Sequence, residues 1–392
     1  MKTNPFNHRG AQPRTVNRQG SAIPRAAALS WLAAVACAQA QSIQLIPALP
    51  GSDSALPYGV SADGTKVVGT SFLPSGDADR GFVWTLAGGS QPVIGAPVSF
   101  GTAISGDGST VVGIGFDNDF NISGYSYRNG TMTPTGSLTG TGFGANANAV
   151  NFDGSVVVGQ SDLPNDFNQR AFRWTSGGGI QDLGTLNGAV YSLALGISAD
   201  GSVIVGNSGS QGDGLAFRWT QADGMTALPR LLGSTFDGAY GISADGSTIV
   251  GGSNSQAVRW RNGLVEPLGL VAGLKYSRAN ASSADGEVIG GIAYGNDSKA
   301  FVWTPQTGVI DLQERLISQG VNLNGWQLLE VSGVSADGSV LIGNGALNGQ
   351  MAGFVVTGFS AVPEPTPVAL ALSAFGFGCA LSWMRSRRPQ KA

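Results

Sequence analysis

Asp153-Gly154-Ser155-Val156-Val157-Val158-Gly159 is the stretch that decides the fold, because this chain of 392 residues contains seven versions of it. In each version an Asp-Gly pair precedes a β-branched run, and a glycine stands six residues after the Asp. The pairs begin at Asp63, Asp107, Asp153, Asp200, Asp245, Asp285 and Asp337, 40 to 52 residues apart. A period in this range indicates one supersecondary unit used repeatedly.

The rest of the repeat predicts short strands and tight turns. After Gly159 come residues 171–175 (AFRWT), a glycine-rich turn at 177–179 and residues 180–184 (IQDLG). Val and Ile after the Asp-Gly pair favour a buried strand, and Phe172 and Trp174, two residues apart, face the same side of the next one. Asp-Gly between two such runs favours a hairpin with a tight primed turn. Each repeat is therefore predicted to form four short antiparallel strands.

Four strands in 40 to 50 residues is the pattern of a β-propeller blade. The predicted fold class is all-β, a seven-bladed propeller of four-stranded antiparallel blades over residues 41–361. A single sheet buries little apolar surface, so the aromatic face of each blade must pack on its neighbour. Five tryptophans are assigned to this core between blades, rather than to a ligand platform: Trp84, Trp174, Trp219, Trp260 and Trp303.

The last repeat lacks its fourth strand, and the missing strand stands at the other end of the ring. After residues 353–357 (GFVVT) the chain runs into a proline-rich segment, whereas residues 42–50 (SIQLIPALP) resemble the fourth strands elsewhere. An N-terminal strand that completes the last blade would close the propeller and leave no open edge. Long amphipathic helical patterns are absent, and residues 312–319 could form one short helical turn.

Residues 1–40 are predicted to be a secretory signal peptide. A basic stretch without acids precedes an apolar run at 26–38, and Ala38-Gln39-Ala40 gives the small-x-small cleavage pattern. A lipoprotein site at Cys37 is the alternative, but the usual large aliphatic residue three places earlier is missing. The chain is therefore expected to be exported.

The C-terminal segment, residues 362–392, is predicted to be a second targeting signal. An uncharged stretch of 17 residues, from Val368 to Met384, is at the lower limit for a transmembrane helix. The basic cluster Arg385, Arg387 and Arg388 would hold its far end in the cytoplasm, with the propeller outside.

Pro363, Glu364 and Pro365, the apolar stretch and the arginine cluster together resemble the PEP-CTERM sorting signal of Gram-negative bacteria. That resemblance implies a precursor anchored in the inner membrane, an exosortase-type processing protease as partner, and a final location at the cell surface or outside the cell. The repeats are also similar to HAF-type extracellular repeats, whose small-Phe-x-Trp-Thr core matches residues 171–175, 216–220 and 300–304. The family's His before Ala-Phe is absent, so this resemblance implies architecture and location but no site.

Several kinds of chemistry are excluded by composition. The single histidine, His8, and both cysteines, Cys37 and Cys379, lie in the targeting segments, so the ring has neither residue type. Ser-His-Asp and Cys-His nucleophiles, conventional zinc sites and disulfides within the ring are therefore excluded. A carboxylate-based glycan hydrolase or lyase is left as an alternative, because it needs only two acids, although the ring has just four Glu.

No catalytic residue and no cofactor are assigned. Calcium is the one ion with a partial ligand pattern, since Asp117-Asn118-Asp119 and Asp77-Ala78-Asp79 place oxygen atoms at alternate positions. Of 22 basic residues nine lie in the two ends, against one of 25 acids, which leaves the ring with 13 bases, 24 acids and a net charge of −11. So acidic a surface disfavours nucleic acid as a partner.

The leading functional hypothesis is a non-enzymatic propeller of the surface or extracellular matrix, which binds glycan or protein in the envelope or exopolysaccharide layer. A purely structural repeat module is the second hypothesis, and the carboxylate enzyme is the third.

Overall fold

A computed structural model describes residues 41–74, 79–117, 119, 121–142, 144–164, 166–210 and 213–360. The described strands form seven separate four-stranded antiparallel sheets. The predicted all-β, seven-bladed propeller is therefore confirmed. Both targeting segments lie outside the described residues.

The N-terminal strand, β1 (Ser42–Ile46), is followed by three blades in chain order. Their strands are β2 (Ser54–Val60), β3 (Val67–Phe72), β4 (Arg80–Thr85) and β5 (Gly89–Pro92); β6 (Val98–Ile104), β7 (Thr110–Phe116), β8 (Ile122–Arg128) and β9 (Thr131–Pro134); β10 (Ala145–Val150), β11 (Val156–Leu163), β12 (Asp166–Thr175) and β13 (Gly179–Asp182). The 3-10 turn Leu186–Gly188 follows the third blade.

Four further blades complete the ring. Their strands are β14 (Tyr191–Ile197), β15 (Val203–Ser210), β16 (Asp213–Thr220) and β17 (Gly224–Ala227); β18 (Asp237–Ile242), β19 (Thr248–Ser253), β20 (Gln256–Arg261) and β21 (Leu264–Pro267); β22 (Tyr276–Ser282), β23 (Ile289–Tyr294), β24 (Ser298–Thr304) and β25 (Gly308–Asp311); β26 (Trp326–Val334), β27 (Leu341–Leu347) and β28 (Gln350–Thr357). One short helix, α1 (Leu312–Ser318), lies between blades 6 and 7, where the sequence indicates a helical turn.

The N-terminal strand completes the last blade, as predicted. β1 pairs antiparallel with β28, from Ser42 opposite Thr357 to Ile46 opposite Gly353. The side chains of Ser42 and Thr357 also share a hydrogen bond of 2.9 Å. Ile46 is buried in a cluster that includes Val67 of blade 1 and Val355 of blade 7, so β1 joins the two blades at the closing seam.

The first strand of each blade is the innermost, because these strands contact one another around the ring. Each runs towards its Asp-Gly turn, so all seven turns lie at one end of the propeller, here called the Asp-Gly end. The opposite end, called the loop end, carries the longer connections between blades and the turns between second and third strands.

A belt of seven backbone hydrogen bonds runs round the Asp-Gly end. In six blades the amide of the residue before the Asp-Gly pair, and in blade 2 the amide of the Asp itself, donates to a carbonyl of the next blade, over 2.9 to 3.0 Å. The pairs are Ala62 to Gly106, Asp107 to Phe152, Phe152 to Ala199, Ala199 to Ala244, Ala244 to Ala284, Ala284 to Ala336 and Ala336 to Ala62. The last bond joins blade 7 to blade 1, so the ring closes through its backbone as well as through β1.

The glycine six residues after each Asp has a steric cause. Each innermost strand has a β-bulge that brings a carbonyl oxygen against the second strand. A Cβ built on Gly206 would lie 1.9 Å from the oxygen of Leu193, and at the six equivalent glycines the distance is 1.9 to 2.1 Å. No side chain fits at this position, because the atom in the way is a backbone carbonyl oxygen, which cannot move aside as the end of a flexible side chain can.

The Asp-Gly pair does not occupy the centre of a two-residue primed turn, so that prediction is wrong. A type I′ turn needs positive φ at both central residues, whereas here only the glycine has it, with φ of 68 to 77°. The turn is longer, because the Ser61 amide donates to the Lys66 carbonyl and residues 62–65 form the loop.

Candidate binding site at the channel mouth

The tryptophans assigned to the core are buried between blades. Trp84, Trp174, Trp219, Trp260 and Trp303 are at most 8% exposed. Each lies in a cluster that also contains residues of the preceding blade; Trp219, for example, packs with Val156 and Val158. These five rings are therefore not available to a ligand.

The other predicted sites give no ligand centre. Signal-peptide residues Ala38 and Ala40, sorting residues Pro363, Glu364 and Pro365, and the basic cluster Arg385, Arg387 and Arg388 lie outside the described residues. So does Asp77 of one partial calcium pattern. In the other, the Asp117 carboxylate accepts hydrogen bonds from its own loop, at the amides of Asp119 and Asn121. Among the described residues no group of three acids, His or Cys could hold a metal ion.

The aspartates of the Asp-Gly pairs organise their turns. Each accepts a hydrogen bond from the amide two residues on, at 2.9 to 3.0 Å. In six blades a serine two residues before the Asp donates to the same carboxylate, at 2.5 to 2.7 Å. Hydrogen bonds from these serines lower the pKa of Asp63, Asp200 and Asp245 below the usual 3.8.

These turns predict a loss of stability in acid. A carboxylate whose pKa is lower in the folded state stabilises the fold above pH 3.8, and this contribution is lost as the pH falls through the folded pKa. The melting temperature should therefore drop below pH 4, and the triple variant Asp63→Asn, Asp200→Asn, Asp245→Asn should show a shallower drop. Equal slopes in wild type and triple variant would contradict this account.

The bulged residue of each innermost strand lies five places before the Asp. The seven residues are Tyr58, Thr102, Asn148, Leu195, Tyr240, Asn280 and Ser332. Several of them tie adjacent blades together. Thr102, Asn148, Asn280 and Ser332 each donate a hydrogen bond to a carbonyl in the next blade's innermost strand, over 2.7 to 3.0 Å. This position therefore forms a second belt within the channel, with Tyr58, Leu195 and Tyr240 at the remaining places.

Tyrosines collect at the loop end of the channel on blades 4 to 6. Tyr276 begins β22 and lies opposite Tyr294, the last residue of β23, with ring centroids 5.4 Å apart. Tyr191 begins β14, and its hydroxyl lies beside Gly214 together with the ring of Phe236. We call Tyr191, Phe236, Tyr240, Tyr276 and Tyr294 the tyrosine mouth. Tyr276, Tyr294 and Phe236 are 42, 37 and 45% exposed, so they present ring surface to solvent.

A fixed polar network lies beside these rings. The Arg278 guanidinium carbon is 5.0 Å from the Tyr240 ring centroid, and its Nε donates to Asn280 Oδ1 at 2.8 Å. Arg278 Nη2 and Asn280 Nδ2 both donate to Glu330 Oε1, at 3.1 and 2.8 Å. Among the described residues no hydrogen bond reaches Glu330 Oε2. The network therefore holds a planar donor and an available acceptor next to the aromatic rings.

The hydroxyls of Tyr58, Tyr191 and Tyr240 are neutral at ordinary pH. Burial raises the pKa of Tyr240 above 10, although the Arg278 guanidinium acts in the opposite direction. Burial also raises the pKa of Tyr191. For Tyr58, burial and then the Glu330 carboxylate raise the pKa. These phenols can therefore donate and accept hydrogen bonds without adding charge to the site.

A separate line of phenylalanines lies at the loop end on blades 1 and 2. Phe100, in β6, is 6.4 Å from Phe72 and 5.8 Å from Phe116 between ring centroids, and Phe72 and Phe116 end their strands at the loop end. Phe116 also lines a cleft of about 380 Å³ with Pro97 and Met132. Aromatic surface thus occurs on both sides of the channel at the loop end.

Solved structures share this fold, whereas no family model and no curated protein matches the chain. Oligogalacturonate lyase from Vibrio parahaemolyticus superposes with a TM-score of 0.53 at 11% identity, over 82% of this chain and 94% of that chain. A puromycin hydrolase mutant complexed with PGG gives 0.54 at 12% identity, over 81% and 55%. TolB from Acinetobacter baumannii gives 0.46 at 14% identity, over 62% of each chain, which is too loose to support a functional argument.

These likenesses show the propeller fold alone, and this chain spans less than two thirds of the TolB and puromycin hydrolase chains. They nevertheless correct one expectation. The prediction of a non-enzymatic protein is wrong, because a lyase and a hydrolase are built on the same kind of ring. The absence of His and Cys from the ring removes some mechanisms, but tyrosine, arginine and carboxylate groups still meet at the channel mouth.

No helix among the described residues is long and apolar enough to cross a membrane. The stretch from Val368 to Met384, for which a membrane helix is predicted, lies beyond those residues.

Proposed function

We propose that this chain is an exported β-propeller that binds an uncharged glycan of the envelope or exopolysaccharide layer at the tyrosine mouth. The observation that carries the proposal is the placement of exposed aromatic rings around the Arg278–Asn280–Glu330 network. Sugar rings have apolar C–H faces and hydroxyl edges, so they need aromatic surface and fixed hydrogen-bonding groups together. Tyrosine supplies a large apolar face with a polar end.

The charge of the site favours an uncharged glycan over an acidic one. Arg278 is the cation of the network, and Glu330 pairs with it at 3.1 Å. The ring as a whole carries a net charge of −11, which repels polyanions. Uronate-rich chains would therefore find no unpaired cation in this network and would be repelled by the negative electrostatic potential of the ring.

Export and anchoring are supported by the two targeting segments in the sequence. Residues 1–40 have the pattern of a signal peptide, and residues 362–392 resemble a PEP-CTERM signal. In this proposal the C-terminal segment holds the precursor in the inner membrane, and an exosortase-type protease cuts near Pro363-Glu364-Pro365. The propeller then reaches the cell surface or the extracellular layer.

The proposal predicts a loss of glycan affinity when the rings are removed. Affinity electrophoresis in gels containing neutral polysaccharides, after selection on a glycan array, would measure binding. Tyr276→Ala with Tyr294→Ala should weaken binding about tenfold or more, since each aromatic contact is worth about 0.5–1.5 kcal/mol. The double variant Tyr276→Phe, Tyr294→Phe keeps both rings and should retain most of the affinity. Phe152→Ala, at the Asp-Gly end, is the matched control and should have no effect.

A second variant tests the preference of the site for uncharged over acidic glycans. Glu330→Gln keeps an acceptor for Arg278 and Asn280 but removes the paired charge. It should increase binding to uronate oligosaccharides relative to neutral ones. Preferential binding of acidic chains by the wild type, or equal binding by the double alanine variant, would overturn the proposal. Product analysis of the bound glycan shows whether the site also cuts it.

A further inference from the structure

The two ends of the described chain leave the ring side by side. Ser42 lies opposite Thr357 where β1 begins and β28 ends. The strand β28 runs from the loop end towards the Asp-Gly end, so this point belongs to the Asp-Gly end. The Phe359 amide confirms the placement, because it donates to the carbonyl of Ser339, two residues after Asp337, at 2.9 Å. Phe359 is itself buried, so the chain is fixed up to this point.

The connection from this point to the apolar stretch is short. Only residues 361–367 separate Ser360 from Val368. Seven residues span at most about 25 Å when fully extended. An innermost strand of seven residues is itself about 23 Å long, so the loop end lies a further strand length from the exit point.

We infer that, in the tail-anchored chain, the Asp-Gly end of the propeller faces the membrane and the tyrosine mouth faces away from it. This orientation rests on the tail anchor of the proposed function, but not on the glycan. It leaves the mouth open to polymers outside the membrane while the precursor is still attached.

Charge at the Asp-Gly end decides how the ring is held there. Seven aspartates lie at this end, and they outnumber the bases Lys66, Arg128 and Arg261 beside them. Hydrogen bonds from serine hydroxyls and backbone amides favour the ionised form of Asp63, Asp200 and Asp245. Such a surface is repelled by anionic lipid head groups. The ring is therefore held near the bilayer by its tether and not by adhesion of its surface.

Quenching by spin-labelled lipid tests the orientation on the full chain after removal of the leader. Two leucines are matched sites for a fluorophore after replacement by cysteine. Leu86 lies in a turn at the Asp-Gly end and Leu232 in a connection at the loop end, and they are 71 and 99% exposed. Both variants also carry Cys379→Ser. The proteins are inserted into phosphatidylethanolamine–phosphatidylglycerol vesicles that contain a head-group nitroxide.

The label in the Leu86→Cys variant should be quenched several-fold more than the label in Leu232→Cys. Vesicles without nitroxide provide the baseline for each label. Equal quenching, or stronger quenching at residue 232, would overturn the inference, and so would a failure of the chain to co-sediment with the vesicles. Glycan binding is measured separately on the same preparations, so a failed orientation and a failed glycan site give different results.

Discussion

Replacing Gly206 by alanine should lower the free energy of unfolding by about 3 kcal/mol, at the upper end of the usual cost of overpacking. The new Cβ would lie 1.9 Å from the Leu193 oxygen and 3.0 Å from the Phe217 ring. Two neighbouring backbones would have to separate, which would disturb the bulge and the contact with the next blade. Denaturant unfolding followed by tryptophan fluorescence would measure the loss.

Gly177→Ala is the matched control for this change. Gly177 lies in an exposed turn, has no positive φ, and a Cβ there meets nothing within 4 Å. The control should leave stability unchanged or raise it slightly, because alanine restricts the unfolded chain. A Gly206→Ala protein as stable as this control would show that the bulge is not rigid.

Trp219→Ala should lower the free energy of unfolding by about 3–5 kcal/mol, the usual range when a buried Trp is replaced by Ala. Trp219 is 5% exposed and shares its cluster with Val156, Val158, Leu183 and Leu186, which belong to blade 3 and the connection after it. The cavity would therefore open at the seam between blades 3 and 4. The same unfolding measurement, followed here by circular dichroism, gives the loss.

Leu264→Ala is the comparison for the tryptophan variant. Leu264 is 63% exposed on an outer strand, and surface changes of this kind usually stay within about 0.5 kcal/mol. If Trp219→Ala were no more damaging than Leu264→Ala, the seam between blades would not depend on its aromatic residue.

The ring could be predicted from the sequence because its determinants repeat. The Asp-Gly pair and the glycine six residues later recur in all seven repeats, and the Phe-x-Trp segment recurs in four. Each repeat maps onto one blade. The match between residues 42–50 and the fourth strands likewise predicted the pairing of β1 with β28. The form of the Asp-Gly turn was missed, since the dipeptide alone does not show how many residues the loop contains.

The tyrosine mouth could not be predicted in the same way, because its residues do not repeat. Tyr240, Arg278 and Glu330 lie in three blades, and only the curvature of the ring brings them together. One signal was present in the sequence. The position five residues before each Asp changes from Tyr58 to Thr102, Asn148 and Leu195, although its surroundings are regular. Variation at one place of a strict repeat is typical of a residue that faces an open space.

Ser42 pairs with Thr357, so the two ends of the described ring are adjacent, and this has a consequence for the order of the blades along the chain. A linker of a few residues could join these ends, and a new start could be placed in an exposed turn at the Asp-Gly end of another blade. Such a circular permutant would keep the strand pairing of every blade and each seam between blades. The fold itself therefore has no required first blade.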